Sequence, residues 1–600
     1  MPNRRVWWRI ALSILLALVS ALPLPVPSRA ATSTTADPRD FYGMVIRDPW
    51  YEFNTDPERY PLQVNWTFVD TMLAGVADVG ARWIRFEFHA EYDQPQGSGW
   101  IDWAKYDPLV NQLAPKYGFR LLALLSSGIL ADVDPSYHFF HINDAPDTSG
   151  RNAYTRAFVS RAKEIVDHAG DAISAYEIIN EPNANLILHQ ETAGASKAVD
   201  PVIYGQLMVD LYQTVKPAHP TVQLVLGGML VEQEDPTGYL TWFQAVVQSP
   251  AVQSFRAQHG HNPWDAIAIH PYSLANFSAA SVLAAVQQLH SLQQQYGDTA
   301  PIWVTEVGMP ADAPYWNDIK IMDPTPSELA QANFLRDVYT GLHQWPYVAH
   351  VFWFKYEDFG EGDQEAHWGL VHLRDSMLHY AREATPWPRK VAYFVYQSLA
   401  NPSAVPTAPV PPPTNPEPDV RYFPETGHTV RGPFLQYWQQ HGGLAQFGYP
   451  KTEVFFVAGR AVQYFERARF EYWPEFRGTP WEVQLGFLGR YALQGRVFPR
   501  QPAPDPNLPP DPNRRYFPET GQYVQGPFLK YWDAHGGLAI FGLPISGELQ
   551  EMNPADGKVY TVQYFERARL EYHPEFAGTE NEIELGLLGN QVLRTLSWYR

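Results

Sequence analysis

The chain has 600 residues, which is too many for one ordinary hydrophobic core. Hydrophobic residues make up 45% and charged residues 18%, a composition typical of globular proteins. A net charge of −20 argues against nucleic acid as a partner, and the absence of cysteine excludes disulfides and thiolate metal sites. Aromatic residues reach 14%, which suits sugar binding because flat rings stack on pyranose faces, although aromatic-rich cores would give the same composition.

The N-terminus predicts an export signal over residues 1–30. Three arginines within the first nine residues precede the apolar run "IALSILLALVSAL", and "SRA" then supplies small residues before a cleavage point after Ala30. The run is shorter than the roughly 20 apolar residues that a membrane span needs, and no later stretch looks transmembrane. We therefore expect a secreted, extracellular protein with no membrane span after signal cleavage, which could also associate with the cell surface.

Short apolar runs alternate with amphipathic, helix-like segments across residues 31–400. The predicted strands are "FYGMVI" (41–46), "RWIRFEF" (82–88), "RLLALLS" (120–126), "ISAYEII" (173–179), "QLVLGGM" (223–229), "DAIAIHPY" (265–272), "PIWVTEVG" (301–308) and "HVFWFKY" (350–356). Eight strands with intervening helices predict an α/β fold, a (β/α)₈ TIM barrel. A doubly wound open sheet is the alternative, and the absence of a Gly-rich phosphate loop after any strand disfavours its nucleotide-binding versions.

Polar residues where the predicted strands stop are the candidate site, because catalytic groups of such barrels lie at the C-terminal strand ends. These residues are Arg85 on strand two, Asn180 and Glu181 after strand four, His270 and Tyr272 on strand six, Glu306 on strand seven and Trp353 on strand eight. Two glutamates across a barrel mouth are what retaining glycoside hydrolysis needs, one as acid/base and one as nucleophile about 5–5.5 Å away. The pattern predicts no metal and no cofactor. Taken singly, His270 would more often be a hydrogen-bonded core histidine, and Trp353 would more often be core packing.

Other carboxylates near strand ends are weaker candidates. Glu87, Glu357 and Asp358 lie there, and "EDFGEGDQE" at 357–365 could hold a cation. The stretch lacks the spacing of a calcium-binding loop, so a solvated acidic loop is the favoured interpretation.

The strand ends resemble glycoside hydrolase clan A, whose signature is Asn-Glu after strand four and Glu after strand seven. Here these are Asn180-Glu181 and Glu306, which follows Glu181 by 125 residues. "GARWIRFEFHAEYDQP" and "WAKYDPLVNQLAPKYGFRLLALLSS" are similar to family 39 and family 39-like glycosidases. Family 5 is the nearest rival, since it shares His-x-Tyr on strand six and Trp on strand eight. It usually has a His after strand three, where this chain offers only Ser126 and Ser127.

The resemblance, which covers roughly residues 40–400, implies that Glu181 is the acid/base and Glu306 the nucleophile. It implies supporting roles for five more residues: Asn180 for the substrate 2-hydroxyl, Arg85 and Tyr272 for orienting and ionising Glu306, His270 for the hydrogen-bond network and Trp353 for the floor of the cleaved sugar's subsite. The expected function is a retaining β-glycoside hydrolase acting on a polysaccharide or oligosaccharide. A non-catalytic glycan-binding surface protein and a transglycosylase using the same residues remain the alternatives.

The C-terminal part is a duplication on proline-rich linkers. Residues 401–420 contain eight prolines, and a second proline-rich linker covers 498–514, both predicted as polyproline II spacers. "RYFPETGHTVRGPFLQYWQQHGGLAQFGYP" in 421–497 matches "RYFPETGQYVQGPFLKYWDAHGGLAIFGLP" in 515–600. In each copy a short helix ends at Gly and "VQYFERAR" begins an alternating strand, so we expect two small α+β repeat modules.

The function of these modules is open between glycan binding and a plain spacer. "HGGLAQFGYP" and "HGGLAIFGLP" loosely resemble the Leu-Gly-Phe-Pro type repeats of bacterial surface proteins, which implies cell-wall or glycan binding through 421–600. The pairs Tyr437-Trp438 and Tyr531-Trp532 look exposed and are the candidate binding groups, with core packing as the alternative.

Overall fold

The structure is a computed structural model in which the chain divides into two compact units, Met1–Pro38 and Arg39–Arg600. It describes residues 37–46, 64–91, 99–130, 139–184, 198–233, 235–272, 276–311, 326–358, 367–371, 389–402, 405–413, 418–457, 460–493, 495–553 and 557–595. The predicted export signal lies outside the described residues, so it stays a prediction.

A closed barrel of eight parallel strands forms the first part of the second unit. The strands are β1 (Tyr42–Val45), β2 (Trp83–Glu87), β3 (Arg120–Leu125), β4 (Ala175–Ile178), β5 (Gln223–Leu230), β6 (Ala266–His270), β7 (Ile302–Val307) and β8 (Val348–Trp353). Neighbours in sequence pair in order, and β8 closes the barrel on β1, where Met44 pairs with Trp353. The predicted (β/α)₈ barrel is confirmed, and each predicted strand overlaps an observed one.

Apolar and aromatic side chains fill the barrel interior below the mouth. Trp83, Trp303 and Phe352 belong to this interior cluster, and the rings of Trp83 and Trp303 meet edge-to-face with centroids 5.2 Å apart. Side chains two residues apart on a strand share a face, so Arg85 lies one layer above Trp83 on β2. The polar groups at the strand ends therefore lie above a packed layer of buried apolar side chains.

Helices cover the outer face of the sheet. They are α1 (Trp66–Asp78), α2 (Ala114–Tyr117), α3 (Ala153–Ala169), α4 (Pro201–Val215), α5 (Gly238–Val247), α6 (Pro250–His259), α7 (Ala279–Gln295), α8 (Pro326–His343) and α9 (Val391–Ala400). Local sequence sets their starts: Asn152 and Thr155 form a capping box before α3, and the Asp200 carboxylate accepts from two amides at the start of α4. Among the described residues, none of the helices combines the length and apolar content that a membrane crossing requires.

Each C-terminal repeat folds as a two-stranded hairpin, two short helices, a four-stranded antiparallel sheet and a last helix. Module 1 contains β9 (Val420–Phe423), β10 (His428–Arg431), α10 (Gly432–Gln440), α11 (Gly443–Phe447), β11 (Phe455–Val457), β12 (Arg460–Tyr464), β13 (Arg469–Tyr472), β14 (Val483–Leu485) and α12 (Leu488–Ala492). Module 2 contains β15 (Arg514–Phe517), β16 (Gln522–Gln525), α13 (Gly526–Ala534), α14 (Gly537–Phe541), β17 (Pro544–Met552), β18 (Val559–Phe565), β19 (Arg569–Tyr572), β20 (Ile583–Leu585) and α15 (Leu588–Thr595). Each repeat therefore combines helices with an antiparallel sheet, as the sequence predicts for a small α+β module.

The two modules pack on each other through reciprocal contacts. The Gly489 amide of module 1 donates to the Glu566 carbonyl at 3.0 Å, and the Asn590 amide of module 2 donates to the Glu466 carbonyl at 3.2 Å. A Cβ at Gly489 would lie 1.8 Å from the Phe565 carbonyl oxygen, so this close approach requires glycine. The modules thus form a pseudo-two-fold pair of the isologous kind seen in symmetric dimers.

The proline-rich segments and the barrel both contact the modules. The Glu453 amide donates to the Pro406 carbonyl at 2.7 Å, and the Gln501 amide donates to the Gly521 carbonyl at 2.7 Å. On the barrel side, the Phe394 ring of α9 meets the Phe455 ring edge-to-face at 5.3 Å. The described parts of the linkers therefore lie along the modules instead of running free, while the predicted domain boundaries stay predictions.

The aromatic pairs singled out in the repeats belong to the module cores. Trp438 and Trp532 are buried, and each indole N–H donates to a backbone carbonyl at 3.3 Å. Tyr437 packs edge-to-face on Phe470 at 5.1 Å. The hypothesis that these pairs form an exposed binding surface is wrong, because the helices that carry them turn both tryptophans inward.

Candidate active site

The turn after β4 has an unusual backbone. Ile179 has a φ of 63° and Glu181 a φ of 46°, in the left-handed region that residues other than glycine rarely adopt. Neighbouring contacts hold the turn: the Ile179 amide donates to the Leu125 carbonyl at 2.8 Å, and Asn183 exchanges two hydrogen bonds of 2.8 Å with the backbone of Leu230. Strain held by surrounding contacts is typical of functional sites, and here it lies at the predicted acid/base.

Both carboxylate oxygens of Glu306 accept a hydrogen bond. Arg85 donates through Nη1 to one oxygen at 2.7 Å, and the Tyr272 hydroxyl donates to the other at 2.9 Å. Burial and the neighbouring Glu306 charge raise the pKa of Tyr272 well above its usual value, so the phenol keeps its proton. The arrangement fixes the orientation of Glu306 between a guanidinium and a phenol.

Glu177, on β4, is a buried carboxylate that is absent from the predicted site residues. It is fully buried and accepts from Arg85 Nε at 2.7 Å, from the Gly228 amide at 2.9 Å and from the Thr305 hydroxyl at 3.2 Å. Burial disfavours its charge, but the Arg85 guanidinium and His270 outweigh burial and lower the pKa of Glu177 to about 2. The signal was present as a lone charge inside the apolar run "AYEII", where an unpaired carboxylate would be costly.

Arg85 connects Glu177 to the mouth of the barrel. Its Nη2 donates to the Asn180 side-chain oxygen at 2.9 Å, so one buried guanidinium contacts Glu177, Asn180 and Glu306. Burial lowers the pKa of Arg85, yet the charges of Glu177 and Glu306 raise it above its ordinary value. Arg85 therefore stays cationic and fixes three side chains with one rigid fork.

Glu181 is held by a histidine. His270, fully buried, lies with Nδ1 2.9 Å from Glu181 Oε1 and with Nε2 3.0 Å from the Thr305 hydroxyl. Burial lowers its pKa, but the charge of Glu306 and the hydrogen bonds to Glu177 and Glu181 raise it to about 9. His270 is therefore a cation at neutral pH and donates to Glu181. Its other N–H donates to Thr305, whose hydroxyl donates in turn to Glu177.

The two candidate catalytic carboxylates lie close together. Glu181, His270 and Glu306 each place one polar atom within 4.8 Å of the other two. This spacing fits the about 5–5.5 Å of retaining glycosidases and is shorter than the roughly 6.5–9.5 Å that inverting enzymes need for a water molecule. The same trio could surround a cation, but Arg85 and His270 already place positive charge beside both carboxylates.

A cavity of about 150 Å³ opens beside Glu306. Its polar lining is Arg85, Glu87, Asn180, Glu306 and Lys355, and Phe354 contributes an aromatic side. Trp368 stands nearby, with its ring edge-to-face with that of Tyr272 at 5.5 Å. Glu87 thus lines the same cavity as Glu306 and Asn180.

Trp353 does not reach this cavity. It is fully buried between the barrel and α8, 6.3 Å from the Phe334 ring, and its indole N–H donates to the Trp368 carbonyl at 3.3 Å. The prediction that Trp353 floors the sugar subsite is wrong. Side chains alternate along β8, so Phe352 and Phe354 face inward and Trp353 faces the helices.

The start of the acidic stretch is buried rather than solvated. Glu357 and Asp358 are almost completely inaccessible, and Lys390 Nζ donates to Asp358 Oδ1 at 2.6 Å. The Gly369 amide donates to the same oxygen at 2.9 Å. The interpretation as a solvated loop is wrong for these two residues, and 359–365 lie outside the described residues.

Comparison with known proteins supports a glycoside hydrolase. Residues 153–378 match the family model described as "Glycosyl hydrolase catalytic core", a segment that includes Glu177, Glu181, His270 and Glu306. No curated protein matches the chain. The match is consistent with the clan A resemblance of the strand ends.

Several solved structures are similar to part of this chain at low identity. A family 39 glycoside hydrolase from Bacteroides cellulosilyticus WH2 is 17% identical over 61% of this chain and 64% of its own, with a TM-score of 0.40. A GH5_18 protein from Bifidobacterium longum subsp. infantis is 17% identical over 60% of this chain and 79% of its own, with a TM-score of 0.40. The β-glycosidase BGL167 is 14% identical over 63% of this chain and 99% of its own, with a TM-score of 0.39. This chain thus spans less than two thirds of the family 39 structure.

Proposed function

We propose that the protein is a retaining β-glycoside hydrolase that cleaves a polysaccharide or oligosaccharide by double displacement. The observation that carries the proposal is the approach of Glu181 and Glu306 within 4.8 Å, each in a different environment. Glu306 is bound by the cationic Arg85 and by Tyr272, whereas Glu181 is bound by His270. Two carboxyl groups at this spacing with separate partners suit an ionised nucleophile and a proton donor.

In the first step Glu306 attacks the anomeric carbon while Glu181 protonates the glycosidic oxygen. The bond from the anomeric carbon to that oxygen breaks, the leaving sugar departs as an alcohol, and Glu306 becomes a glycosyl ester. Arg85 and Tyr272 hold the Glu306 carboxylate aimed before attack. The Glu181–His270 pair holds one dissociable proton in the resting site, and Glu181 passes it to the oxygen.

In the second step Glu181, now a carboxylate, takes a proton from water as the water attacks the anomeric carbon. The ester bond to Glu306 breaks and the carboxylate returns to Arg85 and Tyr272. With that proton gone, the Glu181–His270 pair carries one net negative charge, and the proton taken from water restores its resting state. Two inversions at one carbon give net retention, and the mechanism uses no metal or cofactor.

Azide rescue tests the two roles separately. Glu306→Ala removes the nucleophile and lowers turnover by several orders of magnitude, and azide then attacks the anomeric carbon directly to give an inverted glycosyl azide. Glu181→Ala spares the first step for substrates with good leaving groups, so the intermediate accumulates and azide intercepts it to give a retained product. Glu87→Ala is the matched control, because Glu87 lines the same cavity yet should give no azide product. Exchange of the two stereochemistries would reverse the assignment.

We also propose that the protein is exported. The basic, apolar and small-residue pattern of residues 1–30 supports this proposal. N-terminal sequencing of protein recovered from the culture medium should begin at Ala31. Recovery of the full chain from the cell interior alone would contradict export.

A further inference from the structure

The two modules contain the same loop, with three differences among its exposed side chains: module 1 has Arg477, Pro480 and Trp481 where module 2 has Ala577, Glu580 and Asn581. The module 1 loop is defined as residues 473–482 and the module 2 loop as residues 573–582. In each, a threonine hydroxyl donates to a phenylalanine carbonyl at 2.7 Å and accepts the amide two residues ahead at 3.2 Å. The accepted amide belongs to Trp481 in module 1 and to Asn581 in module 2. The backbone scaffold is therefore shared, and module 1 adds an indole.

Trp481 is the most exposed tryptophan among the described residues, at 58%. Phe476, in the same loop, is 40% exposed, and its ring lies 6.2 Å from the ring of Trp473. The Arg460 guanidinium stacks 3.4 Å from the Trp473 ring and donates to Glu475 at 3.2 Å. The loop is thus fixed from below by stacking and an ion pair while its outer rings face solvent, a preorganised arrangement that lowers the entropy cost of binding.

The size and charge of this surface select its occupant. Two rings present far less than the roughly 800 Å² per partner that a stable protein interface buries. The charges around the loop balance, with Arg460 and Arg477 opposite Glu475 and Glu482, so neither a polyanion nor an anionic membrane is attracted. A flat indole with polar neighbours fits the apolar face of one pyranose ring.

We propose that the module 1 loop binds a sugar ring of an uncharged polysaccharide, with Trp481 as the stacking surface, and that the module 2 loop lacks this activity. The proposal rests on the proposed function in that the bound polysaccharide is the one the barrel cleaves. The proposed binding residue is thus Trp481, which is exposed, and not Trp438 or Trp532, which are buried.

The test is retention of the full chain on microcrystalline cellulose, chitin and insoluble mannan. We expect wild-type protein to be retained by at least one of them. Trp481→Asn, which gives module 1 the residue of module 2, should weaken retention at least about tenfold, since stacking and burial of one indole are lost. Phe576→Ala is the matched control and should bind as wild type. Asn581→Trp should tighten retention by adding a second platform.

Equal retention of wild type and Trp481→Asn overturns the proposal, as does failure of all three polysaccharides to retain the wild type. Unchanged retention by Asn581→Trp contradicts the proposal that the module 2 loop fails to bind because it lacks the indole. Because Trp481 is exposed, its replacement should leave the melting temperature unchanged, and a melt on each sample verifies this. Hydrolysis of a soluble aryl β-glycoside is followed in parallel: absence of hydrolysis by wild type would count against the proposed function and leave the retention result standing.

Discussion

Glu177→Gln removes the negative charge beneath the site while keeping the shape of the side chain. Arg85 would retain Glu306 and Asn180 as partners but lose the carboxylate that binds its Nε at 2.7 Å. The side-chain amide introduced by Glu177→Gln would also face donors on both sides. Gly228 and Thr305 donate to one oxygen of the carboxylate and Arg85 to the other, so the amide N–H would meet another donor. The guanidinium would then be free to shift, and Glu306 would lose its fixed orientation.

The magnitude follows from the burial of the pair. Glu177 and Arg85 are both nearly inaccessible to solvent, and removal of one member of a buried pair costs about 3–5 kcal/mol. A cost of that size should lower the melting temperature by roughly 5–10 °C in a barrel of this length. A misplaced catalytic group typically costs about a hundredfold in rate, so kcat should fall by about that factor while KM changes little.

The assay compares Glu177→Gln with Asp210→Asn on a soluble aryl β-glycoside. Asp210 is a matched control because it is also a poorly exposed carboxylate on α4, bound by Arg151 Nε at 2.7 Å, and its hydrogen bonds go to Arg151 and Gln206 rather than to the candidate site. Asp210→Asn should lower the melting temperature and leave kcat unchanged. If Glu177→Gln keeps the wild-type kcat, or if both variants lose kcat equally, Glu177 is a structural residue and the positioning argument fails.

Three further predictions concern charge and packing. The pKa of His270 rises from the usual 6.5 to about 9, so its stabilising contribution is complete below pH 6.5 and is lost as pH rises through 9. His270→Gln should therefore flatten the dependence of melting temperature on pH in this window, a difference of up to about 3 kcal/mol, and an unchanged slope would contradict it. Lys390→Met leaves Asp358 buried without its ammonium partner and should lower the free energy of unfolding, measured by chemical denaturation, by about 3–5 kcal/mol. An unchanged free energy of unfolding would show that the pair does not stabilise the fold. Gly489→Ala places a methyl 1.8 Å from the Phe565 carbonyl oxygen, so limited proteolysis should cut between the modules sooner than in wild type, whereas an identical digestion pattern would refute the tight contact.

The barrel could be predicted because its strands are buried on both faces and therefore read as apolar runs. The candidate site could be predicted for a related reason, since strands of a parallel barrel all end at one mouth and polar residues at those ends converge. Arg85, Asn180, Glu181, His270, Tyr272 and Glu306 meet there. Their proximity could be predicted from the order of the strands in the barrel alone, and that order is the order of the strands along the chain.

The wrong predictions have two physical causes. In one, a shift of a single residue along a strand changes which face a side chain lies on; in the other, the partner of a residue comes from a distant part of the chain. The run "HVFWFKY" is apolar throughout, so it cannot show that Phe354 rather than Trp353 faces the mouth. Glu177 is absent from the predicted site because its partner, Arg85, comes from another strand. The pattern of a short helix likewise does not show which of its faces packs on the sheet, so the sequence alone could not show that Trp438 is buried.

The central claim is tested most directly by the stereochemistry of hydrolysis. Proton NMR of wild-type protein acting on an aryl β-glycoside distinguishes the anomer released first from the one formed later by mutarotation. The approach of Glu181 and Glu306 within 4.8 Å predicts that the β-anomer appears first, through a covalent intermediate on Glu306. First appearance of the α-anomer would show single-step inversion and contradict the assignment of Glu306 as nucleophile.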